Sequence, residues 1–405
     1  MTEQDRERSI RLLELRTPDE ARRELERIGV DPAGIARMLP KLAFMPVLLP
    51  GVRAAAANII KQEMLSLGGD AAVARGTVAC SIAVTDVLLI GSRRQLTALC
   101  TKLKAQPFGL AALADRLTQL LDTTRARERF WQTSRRRIPL ERPLIMGILN
   151  VTPDSFSDGG RFNDPDRAVE QALQLEAEGA DLIDIGAEST RPGAPPVPAA
   201  EEIRRLVPVL ERLAGQVTVP ISVDTWKASV AAAACSAGAE IINDISGLTF
   251  DPAMAATAAA CNAGVVLMHT RGTPQTMQQD THYEDLMGEL AEALAAAVRR
   301  ACSAGIAPER IVLDPGIGFA KSRQGNLEIL RRLGELTALG YPLLVGSSRK
   351  SFIGAVLGKP DPRDRLFGTA ATVALAVAAG AQILRVHDVA AMGDVARMSR
   401  AICAP

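Results

Sequence analysis

The sequence predicts an α/β protein: a (β/α)8 TIM barrel preceded by a small α/β N-terminal domain. Three observations carry that expectation. Short β-branched runs alternate with alanine- and leucine-rich helical stretches eight times over about 260 residues, the count and size of such a barrel. Several helical stretches end in glycine just ahead of the next run, as in Glu178-Gly-Ala, Ser236-Ala-Gly-Ala and Ala379-Gly-Ala, which suits helix C-caps. The C-terminal ends of the runs are abnormally polar, which is where a barrel keeps its ligand chemistry. A doubly wound sheet is the alternative, but it does not normally need eight units of such even length.

The eight runs are Leu144–Val151, Leu182–Glu188, Pro220–Thr225, Ile241–Ser246, Val265–Thr270, Arg310–Gly316, Pro342–Ser348 and Ile383–Asp388. Helical spacing marks Asp166–Ala180, Glu201–Leu213, Lys227–Ala239 and Leu286–Ser303 between them. Upstream the pattern differs. Thr17-Pro-Asp-Glu reads as a capping start with Pro at the first helical position. Ala55–Leu67 reads as a helix ending in Gly68-Gly69, Thr85–Gly91 as a strand and Gln95–Lys104 as a helix. The division is therefore 1–122 for the small domain, 123–142 for an arginine-rich linker and 143–405 for the barrel. The small domain carries no clustered His, Cys or paired carboxylates. Its modest reading is an interaction or oligomerisation module, and Lys61, Gln62 and Glu63 read as a surface helix end.

Composition sets outer limits. A chain of 405 residues suggests two domains, and 47% hydrophobic with 23% charged residues is ordinary for a globular protein. A net charge of +1 gives no polyelectrolyte attraction, and 3% aromatics argues against base stacking, so no nucleic-acid partner is expected. The charged start is not a signal peptide, and no stretch approaches the ~20 apolar residues of a membrane span. The six cysteines are scattered without a Cys-x-x-Cys pair, so we expect reduced thiols and a cytoplasmic location.

The most informative stretch is Met146 to Gly160. It begins as an apolar strand and turns into a loop crowded with Asn150, Thr152, Asp154, Ser155, Ser157 and Asp158. Alone, it is a hydrated turn. The other run ends repeat the pattern: Glu188-Ser-Thr-Arg-Pro-Gly, Asp224-Thr, Asn243-Asp, Met268-His, Asp314-Pro-Gly-Ile-Gly-Phe, Ser347-Ser-Arg-Lys-Ser and Arg385-Val-His-Asp. Taken singly, an Asp there caps a helix and an Asn is a satisfied core group. Taken together, they sort into two sets at one mouth. Asp224, Asn243, Asp314 and Lys350 suit a polar heterocycle with several donors and acceptors. Asn150, Thr190, Arg191, Arg385 and His387 suit an anion, with Asn150 able to offer an oxygen to Mg2+. No nucleophile–base dyad appears, so electrostatic stabilisation of a leaving phosphate or pyrophosphate is favoured over covalent catalysis.

From about Leu144 onward the chain resembles dihydropteroate synthase, the pterin-binding enzyme of folate synthesis. The resemblance is carried by Leu149-Asn-Val-Thr-Pro-Asp-Ser-Phe-Ser-Asp-Gly-Gly160, Glu188-Ser-Thr-Arg-Pro-Gly-Ala194, Asp314-Pro-Gly-Ile-Gly-Phe-Ala-Lys321, Ser348-Arg-Lys-Ser351 and Arg385-Val-His-Asp388. It covers about two thirds of the chain. It implies a transferase that joins para-aminobenzoate to 6-hydroxymethyl-7,8-dihydropterin diphosphate, releasing pyrophosphate with Mg2+ by an SN1-like route. It implies that Asp224, Asn243, Asp314 and Lys350 bind the pterin, that Met268 packs near it and that Asn150 ligates Mg2+. It assigns Arg191, Arg385 and His387 to pyrophosphate, and Thr190, Pro192, Phe156, Phe319, Lys350 and Ser351 to para-aminobenzoate. The residues at the chemistry would be Asp224, Asp314, Lys350, Arg385 and His387. Two loops, Val151–Phe162 and Ser189–Val197, would close over the site, sulfonamides would compete with para-aminobenzoate, and the protein would be a homodimer.

Four positions depart from the family pattern. Trp226 and Ala228 flank Lys227 where Ser-Lys-Pro is usual, and Thr270-Arg-Gly replaces Met-Gln-Gly, so that Arg271 adds a charge near the mouth. Two other functions compete with this one. A pterin-dependent methyltransferase would share Asp224, Asn243 and Asp314 but would not need Ser348-Arg-Lys-Ser or Arg385-Val-His. A degenerate, non-enzymatic pterin binder should have lost anion-site residues, which all stand here.

Overall fold

The computed structural model describes residues 13, 15, 17–123, 130–152, 165–189, 191 and 193–403, and the chain divides into two compact units, Met1–Arg125 and Ala126–Pro405. In the first unit, α1 (Pro18–Ile28) starts at the expected capping box. The Glu20 N–H donates to Thr17 Oγ1 at 3.2 Å and the Thr17 N–H donates back to the Glu20 carboxylate at 3.0 Å. There follow α2 (Pro32–Leu42), β1 (Phe44–Arg53), α3 (Ala54–Ser66), β2 (Asp70–Val73), β3 (Val84–Ser92), α4 (Arg93–Leu103) and α5 (Leu110–Thr123). The strands form an antiparallel sheet in the order β1-β3-β2. Strand alternation sends Val47, Leu49, Val87 and Leu89 into a core with Ile60 and Met64 of α3 and Leu96 and Leu99 of α4. The opposite parity leaves Phe44, Leu48, Val84 and Leu88 exposed.

The second unit opens with a hairpin, β4 (Phe130–Gln132) and β5 (Arg137–Pro139). This corrects the reading of 123–142 as linker: from Phe130 onward the segment is part of the barrel unit. Trp131 is fully buried in a cluster with Leu144, Met146, Leu182, Ile241, Val266, Val312, Leu344 and Ile383. The arginine-rich composition hid that one anchoring indole.

The barrel then runs β6 (Leu144–Asn150), α6 (Pro165–Ala177), β7 (Leu182–Gly186), α7 (Ala199–Leu213), β8 (Ile221–Asp224), α8 (Ala228–Ser236), β9 (Ile241–Asp244) and α9 (Met254–Ala260). It continues with β10 (Gly264–Met268), α10 (Leu286–Ser303), β11 (Ile311–Asp314), α11 (Arg323–Arg332), β12 (Leu344–Val345), α12 (Ser351–Leu357), α13 (Leu366–Ala378), β13 (Ile383–Val386) and α14 (Val389–Cys403). The eight strands are parallel in chain order from β6 to β13, with β13 paired to β6. A bridge between Leu313 and Leu343 closes the ring. The strands are shorter than the runs read from sequence, in most cases because polar residues at the run's end leave the ladder to form the mouth.

The period of two decides what faces inward. One alternate set, Ile145, Ile183, Val223, Val265, Leu313 and Leu384, packs outward into the core shared with the helices. The inward residues are apolar at the N-terminal end, where Trp131 lies among them, and polar further along. That same parity carries Asn150, Asp184, Ser222, Asp224, Asn243, Asp314, Arg385 and His387. Among the described residues, no helix is long and apolar enough to cross a membrane.

Candidate active site

A guanidinium between two carboxylates organises the mouth. Arg385 of β13 donates from Nε to Asp184 Oδ2 of β7 at 2.6 Å and from Nη2 to Asp224 Oδ2 of β8 at 2.7 Å. Asn243 of β9 donates from Nδ2 to the same Asp184 oxygen at 3.1 Å. Asp184 Oδ1, Asp224 Oδ1 and Ser222 Oγ are buried and have no hydrogen-bond partner among the described residues. Buried acceptors are normally paired, so Asp224 Oδ1, at the end of β8, is one an N–H-bearing ligand would satisfy. Burial pushes the Asp224 carboxyl up to about 7, with Arg385 pulling it down and Asp184 pushing it up. Burial alone would lower Arg385, but Asp184 and Asp224 hold it above its ordinary value.

The turn after β11 brings Asp314 and Lys350 to the same place. Asp314 accepts the Gly316 N–H at 2.7 Å. Gly316 (φ +69°) and Gly318 (φ +85°) are left-handed, and a side chain at either would collide, with the His269 carbonyl and with Lys350 Cδ respectively. Those collisions explain the two glycines of Asp314-Pro-Gly-Ile-Gly. The Lys350 ammonium donates to the Ile317 carbonyl and lies 4.4 Å from the centre of the Phe319 ring. Burial lowers Lys350 to about 8 against the opposing pull of Asp314, and burial raises Asp314 against the pull of Lys350. Lys350 is delivered by Arg349, which takes a left-handed φ of 57° and is held by Asp388 (Nε to Oδ2, 3.0 Å).

The expected anion set is not assembled as one free cluster. Arg385 is committed to Asp184 and Asp224. His387 instead shares a 2.9 Å hydrogen bond between Nδ1 and Ser348 Oγ. Burial lowers it to about 4, so at neutral pH it is an uncharged donor or acceptor rather than a cation. Arg191 is exposed and close enough to depress His387 further. Asn150 ends β6 opposite Gly186. Met268 ends β10 opposite Asp314, and Ser351 is exposed on the first turn of α12. Phe156, Thr190 and Pro192 lie outside the described residues, as do parts of both expected closing loops.

Several residues were not singled out from sequence. Asp184 lies inside an apolar strand, and its signal was a charge at an inward position of Leu182-Ile-Asp-Ile-Gly. Lys227 bridges Glu188 (2.8 Å) and Glu202 (2.7 Å) in a buried triad, and the other Glu188 oxygen accepts the Val197 N–H at 2.8 Å. Burial raises Glu202 against the pull of Lys227. Lys321 is buried between His269 Nδ1 (3.0 Å) and the Phe319 carbonyl (2.9 Å), and burial lowers it to about 7.

The departures have local accounts. Trp226 meets Phe250 edge-on at 5.7 Å and sits 4.6 Å from the Lys227 ammonium. The Ala228 N–H donates to Asp251 at 2.8 Å, a bond proline could not make. Arg271 stacks on Tyr283 at 3.8 Å and is paired with Glu289, so its charge is largely tied down.

Comparison with known proteins agrees with this geometry. Residues 146–387 match the pterin binding enzyme family. The chain is 52% identical over 262 residues to the dihydropteroate synthase of Synechocystis, covering 65% of this chain and 91% of that one. It is 41% identical over 384 residues to a probable bifunctional folylpolyglutamate synthase/dihydropteroate synthase of Haloferax volcanii. That match covers 92% of this chain, which must include much of the first unit, but only 45% of the relative. The structure of the Clostridium difficile dihydropteroate synthase, determined in the presence of pteroic acid, is 47% identical with a TM-score of 0.61, covering 65% of this chain and 97% of that one. With its eight-stranded barrel and this inward ring of polar residues, the chain belongs to the pterin binding enzyme family, among the dihydropteroate synthases.

Proposed function

We propose that the protein condenses 6-hydroxymethyl-7,8-dihydropterin diphosphate with para-aminobenzoate to give 7,8-dihydropteroate and pyrophosphate. One observation carries the reading: a buried, unpartnered carboxylate oxygen on Asp224 stands beside Asn243, its register partner on the inward face of the mouth. They match a heterocycle rich in N–H donors. In the reaction a C–N bond forms at the methylene carbon, the C–O bond breaks with its electron pair on the diphosphate oxygen, and the amine sheds one proton. The order is SN1-like: the diphosphate departs first, and Asp224 and Asp314 stabilise the delocalised pterin cation left behind. Lys350 lies across from Asp314 against Phe319, where para-aminobenzoate would enter. Arg191 and the neutral His387 would receive the departing oxyanion, His387 by hydrogen bonding rather than charge.

Mg2+ fits this site in a limited way. Among the described residues no group of three His, Cys, Asp or Glu gathers to hold a metal. Asn150, inward at the end of β6, offers one amide oxygen. That suits an ion which keeps waters and arrives on the substrate diphosphate. When bound it would offset charge on the leaving group.

A homodimer is part of the proposal. Phe367 and Leu375 on α13 and Met398 and Ile402 on α14 are exposed at helical spacing on adjacent helices, an apolar surface a second copy would cover. The first unit is proposed as an interaction module, supported by its open sheet face, where Leu48 pairs with Leu88. The proposed compartment is the cytoplasm, in keeping with six free cysteines. The deciding experiment is an assay of purified protein with both substrates and Mg2+. Dihydropteroate should form and sulfonamides should compete with para-aminobenzoate; no product at saturation would reject the reading.

A further inference from the structure

We infer that Asp184 is a positioning residue that sets what the pterin-reading side chains present, an inference that rests on the function proposed above. Asp184 is completely buried at an inward position of β7, between Leu182 in the apolar floor and Gly186. A carboxylate there is costly unless its partners are well placed. Its partners are two residues of the candidate site and nothing else among the described residues: Arg385 Nε at 2.6 Å and Asn243 Nδ2 at 3.1 Å, both on Oδ2.

Each contact has a consequence. A carboxylate only accepts, so Asn243 must turn its NH2 toward Asp184 and its carbonyl oxygen away. Asn243 Oδ1 and the Asp224 carboxylate then form a row of acceptors, which selects a ligand edge made of N–H donors. The second consequence concerns Arg385. Held through Nε by Asp184, it reaches Asp224 through Nη2 alone, and Asp224 Oδ1 is left without a partner. Without Asp184 the guanidinium can pivot into a two-pronged fork on Asp224, the arrangement Arg prefers with a single carboxylate. That fork would consume the oxygen the ligand needs. Asp184 therefore keeps Asp224 available and Asn243 correctly turned.

The test compares wild type with the isosteric Asp184→Asn. Losing a charged hydrogen-bond acceptor predicts a rise of about 10-fold or more in KM for the pterin diphosphate, while KM for para-aminobenzoate stays within about 2-fold. The acid limb of kcat/KM against pH should also move down, because Asp184 is one of the charges that raises Asp224. A purely structural role would move neither the KM ratio nor that limb. Equal changes in both KM values, or wild-type kinetics with an unmoved limb, would overturn the inference. Where Asp184→Asn does not accumulate as folded protein, Asp184→Glu decides. A raised pterin KM with unchanged para-aminobenzoate KM supports the role; two unchanged or equally raised values reject it. Wild type that makes no dihydropteroate sinks the proposed function itself, whereas active wild type with an indifferent Asp184→Asn sinks only this inference.

Discussion

The Trp131 indole donates from Nε1 to the Arg310 carbonyl at 2.8 Å, joining the hairpin ahead of the barrel to the entry of β11. The ring also lies against Gly264, where an added Cβ would come within 3.1 Å of Nε1. The barrel floor is therefore sealed by a residue outside the eight-fold repeat.

Trp131→Ala is expected to cost about 3–5 kcal/mol of stability, from lost burial and a cavity that the stiff floor cannot close. Denaturant unfolding checks it. Truncation before Ala126 should leave the barrel unit's stability intact, whereas truncation before Arg137 should reproduce the Trp131 loss.

The pH dependence should be bell-shaped and narrow. Asp224 must be ionised to accept N–H donors, and it takes up a proton as pH falls through about 7. Lys350 must be charged, and it loses its proton as pH rises through about 8. kcat/KM for the pterin diphosphate should fall on both sides of that window. Asp224→Asn should remove the acid limb, and no limb should belong to His387, which stays neutral down to about 4.

Lys227→Met should destabilise by about 3–5 kcal/mol at pH 7, because it leaves Glu188 and Glu202 buried and facing without their cation. The sign with pH is fixed. Protonating either carboxylate relieves the repulsion, so the difference from wild type should shrink as pH is lowered. Thermal unfolding between pH 5 and 8 measures it, and a difference that grows toward low pH would contradict the buried-triad reading.

Phe367→Glu together with Leu375→Glu should shift the protein from dimer to monomer in sedimentation velocity. Both side chains are exposed, Phe367 at 79%, so the barrel fold should be unaffected. A monomeric wild type would refute the proposed assembly.

Much of the barrel was legible from repetition. The run Ile241–Ser246, the helix Leu286–Ser303 and the Gly-rich turn after Asp314 all announced themselves by local chemistry. So did Thr17, whose capping box needs only four consecutive residues. Asp184 was not legible, because one charge within Leu182-Ile-Asp-Ile-Gly has no local meaning. Its meaning lies in Arg385, 201 residues away, which reaches over β6 to meet it.

By itself the sequence determined the alternation of strands and helices, the polar strand ends and the family motifs. Each of these is written in neighbouring residues through propensity, capping and the period of two. Only the tertiary structure decided which polar groups are spent on one another. Arg385, expected beside an anion, is shared by two carboxylates. His387, expected beside the same anion, bonds Ser348, and burial lowers it to about 4, so that it would act by hydrogen bonding. Trp131 was placed in a linker and closes the barrel floor. The reason is common to all three: pairing and desolvation depend on distances between strands far apart in the chain, and burial changes charge by amounts that no local pattern records.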